Sequence, residues 1–480
     1  MSICVIFLLG CQRPFPTDSQ SVDQVASESA GQQVSRSAGQ QVSPISTPTL
    51  QSTNQQIKQS TNTPTPQPTS TPIPPTETPF YSGIPSTPCG QTLPLNHAFD
   101  SAQDGSTASP SPITQLPNTP TAALENLQTL APDIVWPAIE QMIEHPETVG
   151  LAIFQLGNEA NGVYLNAEQL MPVASLAKTI TLAAYAEAVV AGELNPNTAV
   201  SLETLEDYYL PNFDLGAHPR ALRELHENER LLNNETAVSL EDVAWMMMRH
   251  SSNAAADYLH RLLGQERIEA TAVSLGFTTH GAPCTFLGQF LAMGNHTSGG
   301  SRTAVNHYID HPDQYQQEVE LFADAFINQA SFQESELAWR SRFRGPSVDT
   351  QRLFSHELAP QATPLEYAQM MARLAQNGLN SPESSFVARR IIEWPMQFET
   401  NQERFTNLGY KNGSLPGILT TTYYAYRSGE SAPIVIALFY KDLPNQTYRI
   451  WRRTLPDDEF ARWVLAEPDA LPALKSVINP

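Results

Sequence analysis

Lysine, cysteine and positive charge are all scarce in this sequence. Only five lysines occur in 480 residues: Lys58, Lys178, Lys411, Lys441 and Lys475. Lysine and arginine together number 27 against 49 acidic residues, giving a formal net charge of −22. Residues 1–120 hold six acids and three bases, a net of −3, so the rest carries −19 of that total. Such an acidic surface excludes nucleic acid and an anionic membrane face as partners, although it does not bear on a small substrate. There are four cysteines, and no C-x-x-C pair or His/Cys cluster has the spacing of a zinc site, so no metal or other cofactor is expected. The apolar run Ile3–Leu9 is far too short to span a bilayer.

Large apolar residues are also sparse from about Gln12 to Pro120, where Ser, Thr, Pro and Gln dominate. The heptamer Ser29–Ser35 recurs as Ser37–Ser43, and the tetramer Gln51–Asn54 recurs as Gln59–Asn62. A segment of this composition cannot bury enough apolar surface to offset chain entropy. Residues 12–120 are therefore expected to be a disordered tether, with a reach of roughly 50–60 Å as a flexible coil. Ahead of it, residues 1–11 end in Leu8, Leu9, Gly10 and Cys11. This resembles the lipobox of bacterial lipoproteins, in which the cysteine is lipidated and becomes the mature N-terminus. The resemblance is incomplete, because no Lys or Arg precedes Cys11. It implies an exported, extracytoplasmic protein held on the bacterial membrane by a lipid at Cys11. An exported chain permits a disulfide between the two remaining cysteines, Cys89 and Cys284; the alternative is two free thiols.

Residues 121–480 read as one domain, expected to be monomeric. Trp136–Glu144 has helical periodicity, and Val149–Phe154 with Gly162–Leu165 reads as a hairpin. Val200–Asn234 reads as largely irregular. Ser239 to Asp242 is a capping-box variant opening a helix that His250–Asn253 breaks. Residues 265–362 are the least legible and look atypical or insertion-containing, with solvated helices over Gln314–Asn328 and Glu334–Arg342. Thr363, Pro364 and Glu366 open a helix ending at Asn377–Gly378. Three strand-like runs follow, Asn407–Ser414, Ile418–Tyr426 and Pro433–Tyr440, then a helix from Pro456. A strand pair, a helical block, three strands and a helix suggest an α+β fold. Its antiparallel sheet would be built from both ends of the domain, with helices packed on it.

Met171–Lys178 is the chemically telling stretch. Ser175 and Lys178 stand three positions apart, where a helix begins that is apolar on nearly every face. Residues i and i+3 share a helical face, so the lysine amine lies beside the serine hydroxyl. A serine hydroxyl needs a base to take its proton, and a desolvated lysine has a depressed pKa and can be that base. Ser-x-x-Lys is a loose pattern, but with five lysines fewer than about one chance match is expected. Two further motifs follow: Ser251, Ser252 and Asn253 in a break between helices, and Lys411, Asn412, Gly413 and Ser414 at a strand end.

In the order S-x-x-K, S-x-N, K-x-G, the chain resembles the penicillin-recognising serine hydrolases, that is, class A β-lactamases and D,D-peptidases. The resemblance covers roughly Thr121 to Glu467. Ser252 and Asn412 depart from the family's S-D-N and K-T-G. The likeness implies an α+β β-lactamase/transpeptidase-like fold and a small-molecule or peptidoglycan-derived substrate. It also implies that Ser175 is acylated, that Lys178 takes its proton, and that Ser251 relays that proton to the leaving nitrogen. Asn253 would bind the substrate amide. Lys411, Gly413 and Ser414 would serve the substrate carboxylate, and the oxyanion hole would use the N–H of Ser175 with that of Ser414 or Leu415. Proline at 416 has no N–H to offer. Class A enzymes place a deacylating glutamate on a loop after the S-x-N helix. No Asp or Glu lies between Glu269 and Asp310, and Cys284–Gly294 occupies that region. Glu357 is the candidate replacement, or else a surface acid. The expected activity is β-lactamase-like amide hydrolysis. The alternatives are a D,D-carboxypeptidase or other peptidase, or a slowly deacylating penicillin-binding protein.

Overall fold

Isoleucine, valine, leucine, alanine, phenylalanine and tyrosine make up the whole of Ile434–Tyr440, and a strand so apolar requires cover on both faces. The computed structural model, which describes residues 87–93, 111–116, 120–342 and 344–479, provides that cover. Five strands form one antiparallel sheet: β1 (Val149–Gln155), β2 (Val163–Leu165), β3 (Phe405–Leu415), β4 (Ile418–Arg427) and β5 (Ile434–Tyr440). Their order is β2-β1-β5-β4-β3. The strand pair from the start of the domain is thus sealed to the three from its end, through the register of Leu151 opposite Leu438. Val435, Ala437 and Phe439 point into the core beneath the helical block. Ile434, Ile436, Leu438 and Tyr440 point into a second core under the terminal helices. The period-two alternation of a strand therefore feeds two cores at once. The α+β architecture expected from the sequence is the one observed. Among the described residues no helix is long and apolar enough to cross a membrane.

The helices that position the site are α1 (Lys178–Val190), α2 (Ala217–Glu227), α3 (Leu240–Trp245), α4 (Asn253–Leu263), α5 (Phe286–Met293), α6 (Val348–Glu357), α7 (Pro364–Ala375), α8 (Asn445–Thr454) and α9 (Pro456–Ala466). Both capping boxes read from the sequence are formed: Ser239 with Asp242, and Thr363 with Glu366. The expectation of irregular chain over Val200–Asn234 is corrected, because Leu202–Glu206 and α2 are helical. The buried stripe of α2 is Ala217, His218, Ala221 and Leu225, correctly spaced for a helix but too weakly apolar to read as one.

Residues 282–358 hold a third core of their own, around Leu287, Phe290, Leu291, Tyr315, Val319, Phe326 and Phe354. Helix α5 approaches the helix Pro312–Asn328 so closely that a Cβ at Gly288 would collide with the Val319 carbonyl oxygen. Cys89 and Cys284 form a disulfide, closing a sequence separation of 195 residues. The expected tether through residue 120 is corrected at Thr87–Leu93. There Thr87 donates to Glu269 through its N–H and hydroxyl, and Leu93 packs in the main core. The disulfide and these buried bonds supply what a composition poor in apolar residues cannot. The leader with Cys11 and the tether up to residue 86 lie outside the described residues.

Candidate active site

Ser175 is the one partly exposed residue between Met171 and Ala186. It sits in a 3-10 turn, Ala174–Ala177, that runs directly into α1. Ala174 holds a left-handed φ of 49°, a conformation that costs energy in a residue with a Cβ. The surroundings hold the turn in place. Val173 donates to the Pro360 carbonyl at 3.0 Å, and its own carbonyl accepts from the Thr420 hydroxyl at 3.1 Å. Strand β3 presses against the turn at Gly413, where a Cβ would stand 2.7 Å from the Ser175 nitrogen. Glycine in K-x-G is thus required by backbone contact between β3 and the serine.

Lys178 is 1% exposed. Its Nζ donates to the Ser251 carbonyl at 2.7 Å and to Asn253 Oδ1 at 2.6 Å, and lies 3.2 Å from both the Ser175 and Ser251 hydroxyls. Burial holds its pKa well below the usual lysine range, and the nearby Lys411 adds to the effect; Asp257 and Asp214 oppose it. A neutral amine has two hydrogens and one lone pair. The carbonyl and the amide oxygen can only accept, so they take the two hydrogens. The lone pair is left for a hydroxyl proton.

Ser251 follows a π-helical turn, Met246–His250, and takes a left-handed φ of 66°. This break turns its hydroxyl toward both amines, with Lys411 Nζ at 3.0 Å. Lys411 is itself 1% exposed and also donates to the Asn412 carbonyl at 2.6 Å. Ser252, the departure from S-D-N, is fully buried and caps α4, and its hydroxyl meets His218 Nδ1 at 3.0 Å. His250, next to Ser251, pairs with Glu224 at 2.8 Å. The cleft is lined by Ser175, Ser251, Asn253, Asn412, Gly413 and Ser414, with Phe213, Asp214, Phe286 and Trp394 around them. The expected residues of all three motifs are therefore brought together.

The model of the Beta-lactamase enzyme family matches residues 135–449, more than half of the chain. The chain belongs to the beta-lactamase enzyme family. No curated protein matches it. Among solved structures it is similar to a beta-lactamase from Sphaerobacter thermophilus, at 18% identity over 68% of this chain and 90% of that one, with a TM-score of 0.41. It is also similar to PBP-A, at 14% identity over 72% and 98%, with a TM-score of 0.37. A beta-lactamase from Chitinophaga pinensis matches at 15% identity over 72% and 98%, with a TM-score of 0.41.

The position opposite the lysine holds an aromatic side chain. The ring of Phe286, the first residue of α5, lies over Lys178 with Nζ 4.5 Å from its centroid. It is held there by Asp257, four residues beyond Asn253. The two carboxylate oxygens of Asp257 accept from the N–H groups of Phe286 and Leu287, each at 2.7 Å. Thr285, the N-cap of α5, makes no side-chain cap bond, so Asp257 supplies the cap from another helix. Burial pushes the Asp257 carboxyl up to about 7. Glu357, the candidate deacylation base, is corrected: it ends α6 with its side chain 42% exposed, accepts from His356 at 3.0 Å and does not line the cleft. Phe286 and Asp257 escaped the sequence reading because their partnership joins residues 29 positions apart.

Proposed function

We propose that this chain is a serine hydrolase that forms a Ser175 acyl-enzyme with β-lactams and related cell-wall amides, and releases the acyl group slowly. The observation that carries the reading is the bonding of Lys178: buried, with a depressed pKa, its two hydrogens directed at acceptors and its lone pair left for a hydroxyl. Ser175 Oγ attacks the amide carbonyl carbon as its proton passes to Lys178 Nζ. The proton then travels through the Ser251 hydroxyl to the departing nitrogen as the C–N bond breaks. An ester to Ser175 and a free amine result. Lys411, also in contact with the Ser251 hydroxyl, favours the electron-rich state of that relay. The oxyanion is held by the Ser175 N–H and by β3. Contact of Gly413 with the Ser175 nitrogen favours Ser414 over Leu415 as the second donor.

Release requires a water with a base, and here the slow-deacylating alternative gains support. The aromatic ring of Phe286 covers the amine, and among the described residues the acids lining the cleft are Asp214, Asp457 and Asp458. Asp214 already accepts from the Gly216 and His218 N–H groups. Asp458 accepts from the Tyr423 hydroxyl, and burial raises both it and Asp457. Each 1.36 kcal/mol of barrier left unsupplied slows release about tenfold. Intact mass followed over time with a penicillin tests this. A mass increase equal to the whole penicillin that outlasts many acylation times is expected. An adduct that vanishes as fast as it forms, with steady turnover, sinks slow release, and no adduct at all sinks the acyl-enzyme itself.

A further inference from the structure

The chain carries −22, yet the charged side chains that line this cleft include three arginines, Arg220, Arg249 and Arg452, above the two buried lysines. Arg249 is accounted for: it pairs with Glu224 at 2.8 Å and stacks on the Trp394 ring. Arg220 and Arg452 are not. Arg220 donates to the Leu215 carbonyl at 2.8 Å, and Arg452 to the Tyr448 hydroxyl at 3.5 Å. Among the described residues neither makes an ion pair with a carboxylate. They come from α2 and α8, far apart in sequence, and α8 carries Arg449, Arg452 and Arg453 with no acidic residue. Burial holds the Arg220 pKa below its ordinary value; Asp214 opposes this, and the neighbouring Arg452 adds to the lowering. Two guanidinium groups that line one cleft favour an anion between them, and their planar forks suit a carboxylate.

We infer that Arg220 and Arg452 form a second anion-binding site in the cleft, which takes a carboxylate on the acyl portion of the substrate. This deepens the acyl-enzyme reading and rests on it. The terminal carboxylate is the one assigned to Lys411 and Ser414, at the β3 wall. Arg220 belongs to the opposite wall, because the Phe213–Arg220 stretch is joined to the amide-binding residue: Asn253 Nδ2 donates to the Phe213 carbonyl at 3.4 Å; Arg452 enters the same cleft from α8, which follows the bond of the Leu443 N–H to the Gly417 carbonyl at the β3–β4 turn. An acyl chain whose amide meets Asn253 therefore runs toward Arg220. Asp214 offsets part of the arginines' charge, but its oxygens accept from the Gly216 and His218 N–H groups rather than from either guanidinium.

The test separates binding from acylation by using the full chain with Ser175→Ala. Two probes are compared by calorimetry: N-acetyl- and N-glutaryl-capped peptides ending in D-alanyl-D-alanine, which differ by one carboxylate on the acyl side. The diacid is expected to bind about tenfold more tightly at low salt, the scale of one charge-assisted bond. That preference should shrink with added salt and collapse toward unity in Arg220→Gln and in Arg452→Gln. Because it is a ratio taken on one preparation, partial misfolding cannot mimic its loss, and the salt series needs no arginine substitution. Equal affinity for the two probes, a preference that survives both substitutions, or no binding of either overturns the site. Failure of the acyl-enzyme reading appears separately, as a missing penicillin adduct on the unsubstituted serine.

Discussion

Replacing Asp257 by alanine should damage both stability and the cover over Lys178, and the size of the effect follows from two bonds. The carboxylate is 1% exposed and accepts the N–H groups of Phe286 and Leu287 at 2.7 Å each. Alanine leaves both donors buried and unpaired at the start of α5, at about 1–3 kcal/mol each. Against this stands relief of the cost of burying the carboxyl itself, the cost that lifts its pKa to about 7. A net loss of about 2–4 kcal/mol is expected. Asparagine keeps one acceptor and should lose about half as much. The pH dependence has a definite sign. A carboxyl that titrates near 7 folded and at its ordinary value of 3.8 unfolded binds more protons in the folded state between those values. Its contribution is therefore full below pH 3.8 and is lost as pH rises toward 7. Asp257→Asn should flatten the stability slope across that window. Urea denaturation of the disulfide-intact protein at pH 5 and 7.5 measures both effects. A loss below about 1 kcal/mol for Asp257→Ala, or an unchanged slope for Asp257→Asn, refutes the cap and its titration.

Three further outcomes follow from the same structure. Lys178 must be neutral to accept a proton, so the acylation rate should fall as pH drops through its depressed pKa, and Lys178→Ala should slow acylation at least about 10²-fold; an acylation rate indifferent to both contradicts the base assignment. Removing the Cys89–Cys284 bond by serine at both positions should cost about 2–5 kcal/mol, because it closes a separation of 195 residues; an unchanged denaturation midpoint would mean that Thr87–Leu93 contributes no restraint. Glu357→Gln should leave the lifetime of any acyl adduct unchanged, since its carboxylate is exposed and engaged by His356; a lengthened lifetime would restore it as the base.

What could be read in the sequence was whatever depends on neighbours along the chain. The S-x-x-K pair needs only a helical turn, and Thr363 with Glu366 only three residues, so both stood out. The five-stranded sheet followed from runs as apolar as Ile434–Tyr440. The site elements that stayed hidden join distant segments. Phe286 looks like one more core residue until Asp257 sets α5 over Lys178. Arg452 lies among other arginines on α8 and gains meaning only in the cleft it shares with Arg220. Cys89 lay inside a segment whose composition reads as tether; its bond to Cys284, one of the two alternatives open in the sequence, is formed and places it in a core.

The central claim is that Ser175, and no other hydroxyl, carries the acyl group. Its most direct measurement is peptide mapping by mass spectrometry of the protein quenched soon after mixing with a penicillin. The account predicts a penicilloyl mass on the peptide containing Ser175 and its absence from Ser175→Ala treated identically. A label on any other peptide, or one that persists when Ser175 is alanine, contradicts it.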